Sequence, residues 1–208
     1  MTDSDSDDET LRSYGGEAGT TRVERRRIAL VDAALELLAQ PESAPVTVRG
    51  ILAQAGLTPR YFYESFTGVD DLVGAAYDEV ITEIAQRALA AFDGGSEGRD
   101  KIERGVRAIV DVIDADPRKG RLIFADTVIS PVLVARRAQA VTLFAQLTSE
   151  TAAQTFDVPP GPESLAAAHF QVGGLGRVLA SWLDGLIDVD REALIDVCVE
   201  MLLPKARD

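Results

Sequence analysis

The chain has 208 residues, 46% of them apolar, 26% charged and 6% aromatic, a globular composition with enough apolar surface for a packed core. A single cysteine, Cys198, excludes an intramolecular disulfide and a cysteine-ligated metal cluster, and a single histidine, His169, leaves little for imidazole catalysis or zinc. The net charge of −13 opposes a polyanionic partner for the molecule as a whole, but it is unevenly spread. Residues 1–21 hold six acidic side chains and one basic, whereas 22–66 hold six basic and five acidic, with Arg22, Arg25, Arg26 and Arg27 clustered. A local basic end on an acidic body can direct phosphate contacts to that end.

Residues 1–21 are rich in Asp, Ser, Gly and Thr and poor in large apolar side chains, which predicts a disordered acidic tail. The acidic start lacks the basic lead and apolar run of a secretory signal. The most apolar stretch, 122–135, falls short of the ~20 residues of a membrane helix. These features predict a soluble, cytoplasmic protein with no membrane partner.

From Arg25 to Gln40, Ile28, Val31, Leu35 and Leu38 recur at spacings of three and four, the stripe of an amphipathic helix. Thr47 then offers an N-cap hydroxyl. Val48, Ile51, Leu52 and Ala55 continue at helical spacing, and Gly56 supplies a stop. Thr58 is a second N-cap candidate, followed by Pro59 at the first helical position, where its missing N–H costs nothing. Two short helices flanking Gly56 and Leu57 form the pattern of a helix-turn-helix. Further helices are predicted over 69–92, 100–114, 117–128, 131–155, 163–187 and 191–203, separated by Gly and Pro. No stretch requires a sheet, so the fold class is all-α.

A helix-turn-helix sets one helix into the DNA major groove while the other braces it. Leu52, Ala55, Leu57, Phe62 and Phe66 suit the apolar interior of such a unit, and Thr58, Arg60, Tyr61 and Tyr63 suit its donor-bearing face.

The residues Thr47, Arg49, Gly56, Thr58, Pro59, Arg60, Tyr61, Phe62, Tyr63 and Phe66, followed by Asp70, Asp71 and Leu72, resemble the DNA-binding domain of the TetR (tetracycline-repressor-like) transcriptional regulators. The resemblance covers 25–75; over 76–208 it rests on length and helical pattern. It implies an N-terminal DNA-binding domain over 22–68 and a C-terminal helical ligand and dimerisation domain over 69–208. Thr47 would cap the second helix and hold a phosphate, with Arg49 one turn on reaching backbone or base. Thr58, Pro59, Arg60 and Tyr61 would form the groove-facing start of the recognition helix. Tyr63 matches a phosphate-contacting tyrosine, and Arg25 and Arg26 would supply a basic arm. Val69 stands where the family usually has a lysine, which removes one phosphate contact.

For the C-terminal domain the resemblance implies a ligand pocket and a two-fold interface. Ala166, Ala167, Gly173, Gly174 and Gly176 would admit a partner helix, followed by Trp182 and Leu183, and Leu194, Val197, Cys198, Met201 and Leu202 would share one interface face. Two recognition helices in a homodimer would lie about 34 Å or more apart, matching successive half-sites on double-stranded operator DNA. Phe124, Asp126, Phe144, His169 and Phe170 are the pocket candidates. The function implied is a repressor, without cofactor, metal or enzymatic activity, released from DNA when a small-molecule effector moves the helix over 69–92. On the residues alone, two alternatives stand beside it. One is a helical enzyme using carboxylates such as Asp111, Asp114 and Asp126; the other is an interaction protein whose helix-turn-helix packs on another protein.

Overall fold

The computed structural model describes residues 7–40, 45–124 and 130–203, with side chains from Thr21 onward. Among them the secondary structure is helical throughout: α1 (Asp7–Leu38), α2 (Val48–Ala55), α3 (Pro59–Tyr63), α4 (Val69–Asp93), α5 (Gly98–Ala115), α6 (Pro117–Phe124), α7 (Pro131–Thr155), α8 (Pro162–Leu183) and α9 (Arg191–Leu202). The chain divides into two compact units, 1–75 and 76–208, with the division falling inside α4.

The first helix corrects the expected tail. It begins at Asp7, so residues 7–21 are helical, while 1–6 lie outside the described residues. Helix nucleation is the costly step. Once the periodic segment after Arg25 has nucleated α1, each residue added toward the N-terminus gains a backbone hydrogen bond without needing a core contact.

In the first unit α1 packs on α2 and α3, and α2 on α3. Val31 and Leu35 of the stripe read from the sequence face inward and Leu38 is half-buried, but the fully buried positions of α1 are Leu30 and Ala34, which join Ile51, Phe62 and Leu72, with Leu52 and Phe66 close behind. Ile28 lies outside this face, exposed on α1. The lead into α4 is fixed by its own first turn. Asp71 accepts hydrogen bonds from the Thr67 backbone N–H (2.8 Å) and hydroxyl (3.0 Å), so two donors that precede the helix are satisfied by one carboxylate.

In the second unit Val106, Val110, Ile113, Leu179, Leu194, Ile195, Cys198 and Val199, from α5, α8 and α9, form one core. Trp182 and Leu183 pack against it, and the Trp182 indole N–H donates to the Val189 carbonyl at 3.0 Å. α7 lies along α8, and α6 packs on both α5 and α8. The part of α4 beyond Ala75 is tied to α6 by Lys119–Glu83 (2.6 Å) and to α7 by the Arg136–Asp78 ion pair. Burial pushes the Tyr77 phenol up to about 12 and raises the Cys198 thiol, which keeps both in their neutral forms.

The structure divides the stripe expected on the last helix. Leu194 and Cys198 belong to the chain's own core, while Val197 (53% exposed) and Met201 (72% exposed) face outward. The reason is rotation: Ile195 and Val199 share the inward face with Leu194 and Cys198, which turns Val197 and Met201 away.

Candidate nucleic-acid interface

The helix-turn-helix is built as its residues dictate. The Thr47 hydroxyl accepts from the Gly50 N–H at 3.1 Å and so caps α2. At the other end Gly56 adopts φ 65°, a left-handed conformation that glycine takes without steric cost, and its N–H closes on the Leu52 carbonyl. The chain then enters α3 through Thr58, whose backbone is extended but whose hydroxyl makes no capping bond. Thr58 is therefore a cap by position only. Tyr61 N–H closes the first turn on the Thr58 carbonyl at 3.0 Å, and the exposed hydroxyl is left on the surface.

Successive aromatic residues of α3 divide by helical rotation. Phe62 is fully buried and meets Phe66 (centroids 5.9 Å apart) and the edge of Tyr63 (5.3 Å). Tyr63 itself is 63% exposed. Between α2 and α3 lies an open groove of about 490 Å³ whose lining includes Val48, Arg49, Leu52, Leu57, Pro59 and Tyr63. Its floor is apolar and its polar groups are a guanidinium and a phenol, a pairing suited to the sugars, methyl groups and phosphates of a nucleic acid. Arg49 is exposed and makes no ion pair with a described residue.

The remaining predicted residues are brought together differently from the expectation. Arg26 does not project as an arm. Its guanidinium lies 3.7 Å from the centroid of the Tyr61 ring and pairs with Glu64 at 3.2 Å. The other Glu64 oxygen pairs with Arg60, also at 3.2 Å. Tyr61 is accordingly half-buried, covered by Arg26, whereas Arg60 remains largely exposed. Arg25 is exposed, its Nε donating to the Thr21 carbonyl at 3.4 Å. Arg27, 5.5 Å from the Phe66 ring centroid, extends the same cationic edge. Glu64 went unread in the sequence. The spacing of four between Arg60 and Glu64 signals half of its role, but the partner on α1 is visible only in three dimensions.

The pocket candidates do not converge. Phe124 is half-buried against the core of the second unit. Phe144 is half-buried on α7, and Asp126 lies outside the described residues. His169 and Phe170 are both exposed in the single chain, Phe170 at 81%. Ala168, Leu179 and Ala180 set the inward face of α8, and the next two positions after Ala168 rotate away from it.

No protein-family model matches the chain. The HTH-type transcriptional regulator BetI of Brucella anthropi is 34% identical to it over 77 residues, which are 37% of this chain and 40% of that regulator's length. Solved structures match far more of it. The fatty acid degradation regulator FadR of Bacillus halodurans aligns over 85% of this chain and 94% of its own, with a TM-score of 0.70 and 16% identity. A TetR family transcription regulator of Marinobacter aquaeolei aligns over 88% and 96%, with a TM-score of 0.63 and 18% identity. With its capped helix-turn-helix followed by a helical second unit, the chain has the fold of the TetR-family transcriptional regulators.

Proposed function

We propose that this chain is a TetR-family regulator, a cytoplasmic homodimer that binds double-stranded operator DNA and is released from it by a small molecule. Residues 22–68 would read the DNA, and 69–208 would hold the partner subunit and the effector. The role is binding, not catalysis. The observation that carries this reading is the groove between α2 and α3, where Arg49, Pro59 and Tyr63 surround one apolar floor on an exposed face. Thr47, Thr58, Arg60 and Tyr61 belong to the same two helix starts, so a duplex seated there meets hydroxyls, guanidiniums and phenols together.

Support for a two-fold partner comes from α8 and α9. Leu165, Phe170, Val197 and Met201 are all exposed, an apolar surface that a single chain leaves in water. Beside them Gly173 and Gly174 have open space where a Cβ would stand, so nothing in their own chain demands glycine there. Phe170 and His169 thus join the partner surface, while Phe124 and Phe144 remain the effector-facing candidates.

The test is selection of duplex fragments from sheared genomic DNA by the full-length protein, repeated with a metabolite pool. Recovery of a few fragments sharing an inverted repeat is the expected result, with loss of retention when the pool contains the effector. Recovery of no fragment above a protein-free control would overturn the assignment, and would favour a helix-turn-helix that docks on protein.

A further inference from the structure

Between Pro45 and Gly68 the sequence holds two arginines, Arg49 and Arg60, and a single carboxylate, Glu64. In the structure that carboxylate lies among the cations of the candidate DNA face. One oxygen meets Arg26 and the other Arg60, each at 3.2 Å. The two arginines are not held alike. The Arg26 side chain is 26% exposed and is also stacked on Tyr61. The Arg60 side chain is 83% exposed, and among the described residues its ion-pair partner is Glu64, four residues on.

We propose that Glu64 is a positioning residue that competes with DNA phosphate for Arg60. Arg26, clamped between Glu64 and Tyr61, holds the carboxylate in place. The carboxylate in turn keeps the Arg60 guanidinium folded back along α3 until a phosphate oxygen replaces it. The chemistry is an exchange of one oxyanion for another around the same N–H donors, so it needs no rearrangement of the backbone. An exposed pair four residues apart on a helix is weak enough to yield to phosphate and strong enough to lower non-selective affinity. This inference rests on the DNA-binding reading above.

A double-mutant cycle tests it, using a duplex recovered by genomic selection and titrated at several salt concentrations. Glu64→Gln is expected to bind about twofold tighter than the unaltered protein at low salt, the worth of an exposed ion pair four residues apart on a helix. Arg60→Ala is expected to bind more weakly, with a salt slope reduced by about 0.9 for the lost phosphate contact. In the Arg60→Ala background the Glu64→Gln gain is expected to vanish. A gain that persists there is long-range charge repulsion and overturns the proposal. Weaker binding by Glu64→Gln, whose thermal midpoint is followed in parallel, assigns Glu64 a purely structural tie between α1 and α3 and overturns it as well. If neither the unaltered protein nor Glu64→Gln retains any duplex, the DNA reading itself fails, and the proposal falls with it.

Discussion

Phe62 and Tyr63 are chain neighbours with opposite fates, and the difference lies in one helical step of about 100°. Phe62 is sealed among α1, α2 and α3, so its truncation to alanine is expected to cost about 3–5 kcal/mol, read as a lowered midpoint in chemical denaturation. Tyr63 exposes most of its ring, and its hydroxyl can be removed without opening a cavity. Tyr63→Phe should therefore unfold like the unaltered protein, yet lose about tenfold in duplex affinity, the scale of one hydrogen bond to a charged phosphate. Equal affinity in that variant would remove Tyr63 from the interface. The split between the two residues was legible in the sequence, because Phe62 and Phe66, four apart, share one direction and Tyr63 points about 100° round from Phe62, outside the arc they share. Arg26 was not. Nothing in a one-dimensional pattern says that a guanidinium on α1 stacks on an aromatic ring of α3 more than thirty residues later.

The starts of α4 and α5 are organised by hydroxyl and carboxylate pairs, which gives them a pH dependence. Thr67 donates both its N–H and its hydroxyl to Asp71 at the start of α4, and Ser96 does the same to Asp100 at the start of α5. These bonds, with Arg104 added at Asp100, hold both carboxyls below the ordinary 3.8. A depressed pKa in the folded state means that protonation opposes folding. The stabilisation is complete above about pH 4 to 5, where the unfolded carboxyl is also ionised, and it fades as pH falls through the folded value. Asp71→Asn should lower the thermal midpoint at neutral pH, and the gap from the unaltered protein should close as pH falls through the folded value below 3.8. A gap of constant size across that range would show that the Asp71 charge is not what fixes the start of α4. Helix ends of this kind were largely visible beforehand, since Pro59, Pro117, Pro131, Gly56 and the Asp pair at 70 and 71 punctuate the sequence. The extension of α1 to Asp7 was not, because propagation of an existing helix leaves no apolar signature in the residues it recruits.

At the scale of the whole molecule, the proposed DNA binding sets a net charge of −13 against a polyanion, and doubling the chain doubles the repulsion. What a dimer gains is the second reading head. Two linked contacts raise apparent affinity by about 10²- to 10⁴-fold over one when the geometry permits both. The sequence located the small residues of α8 but placed the stripe of α9 on one face. The structure divides that stripe, because α9 must fill its own core before it can serve a partner. The outward remainder is compact: the Gln171 amide donates to the Leu202 carbonyl at 3.0 Å, which brings the turns bearing Phe170 and Met201 together. In the proposed dimer a carboxylate placed there would be buried against its own symmetry copy, desolvated and facing a like charge. Phe170→Asp combined with Met201→Asp is therefore expected to sediment as a folded monomer at micromolar concentration. It should lose about a hundredfold or more in affinity for a palindromic duplex, while binding to a single half-site changes little. A variant that still sediments as a dimer would move the two-fold contact off α8 and α9, and the exposed apolar side chains there would need another occupant.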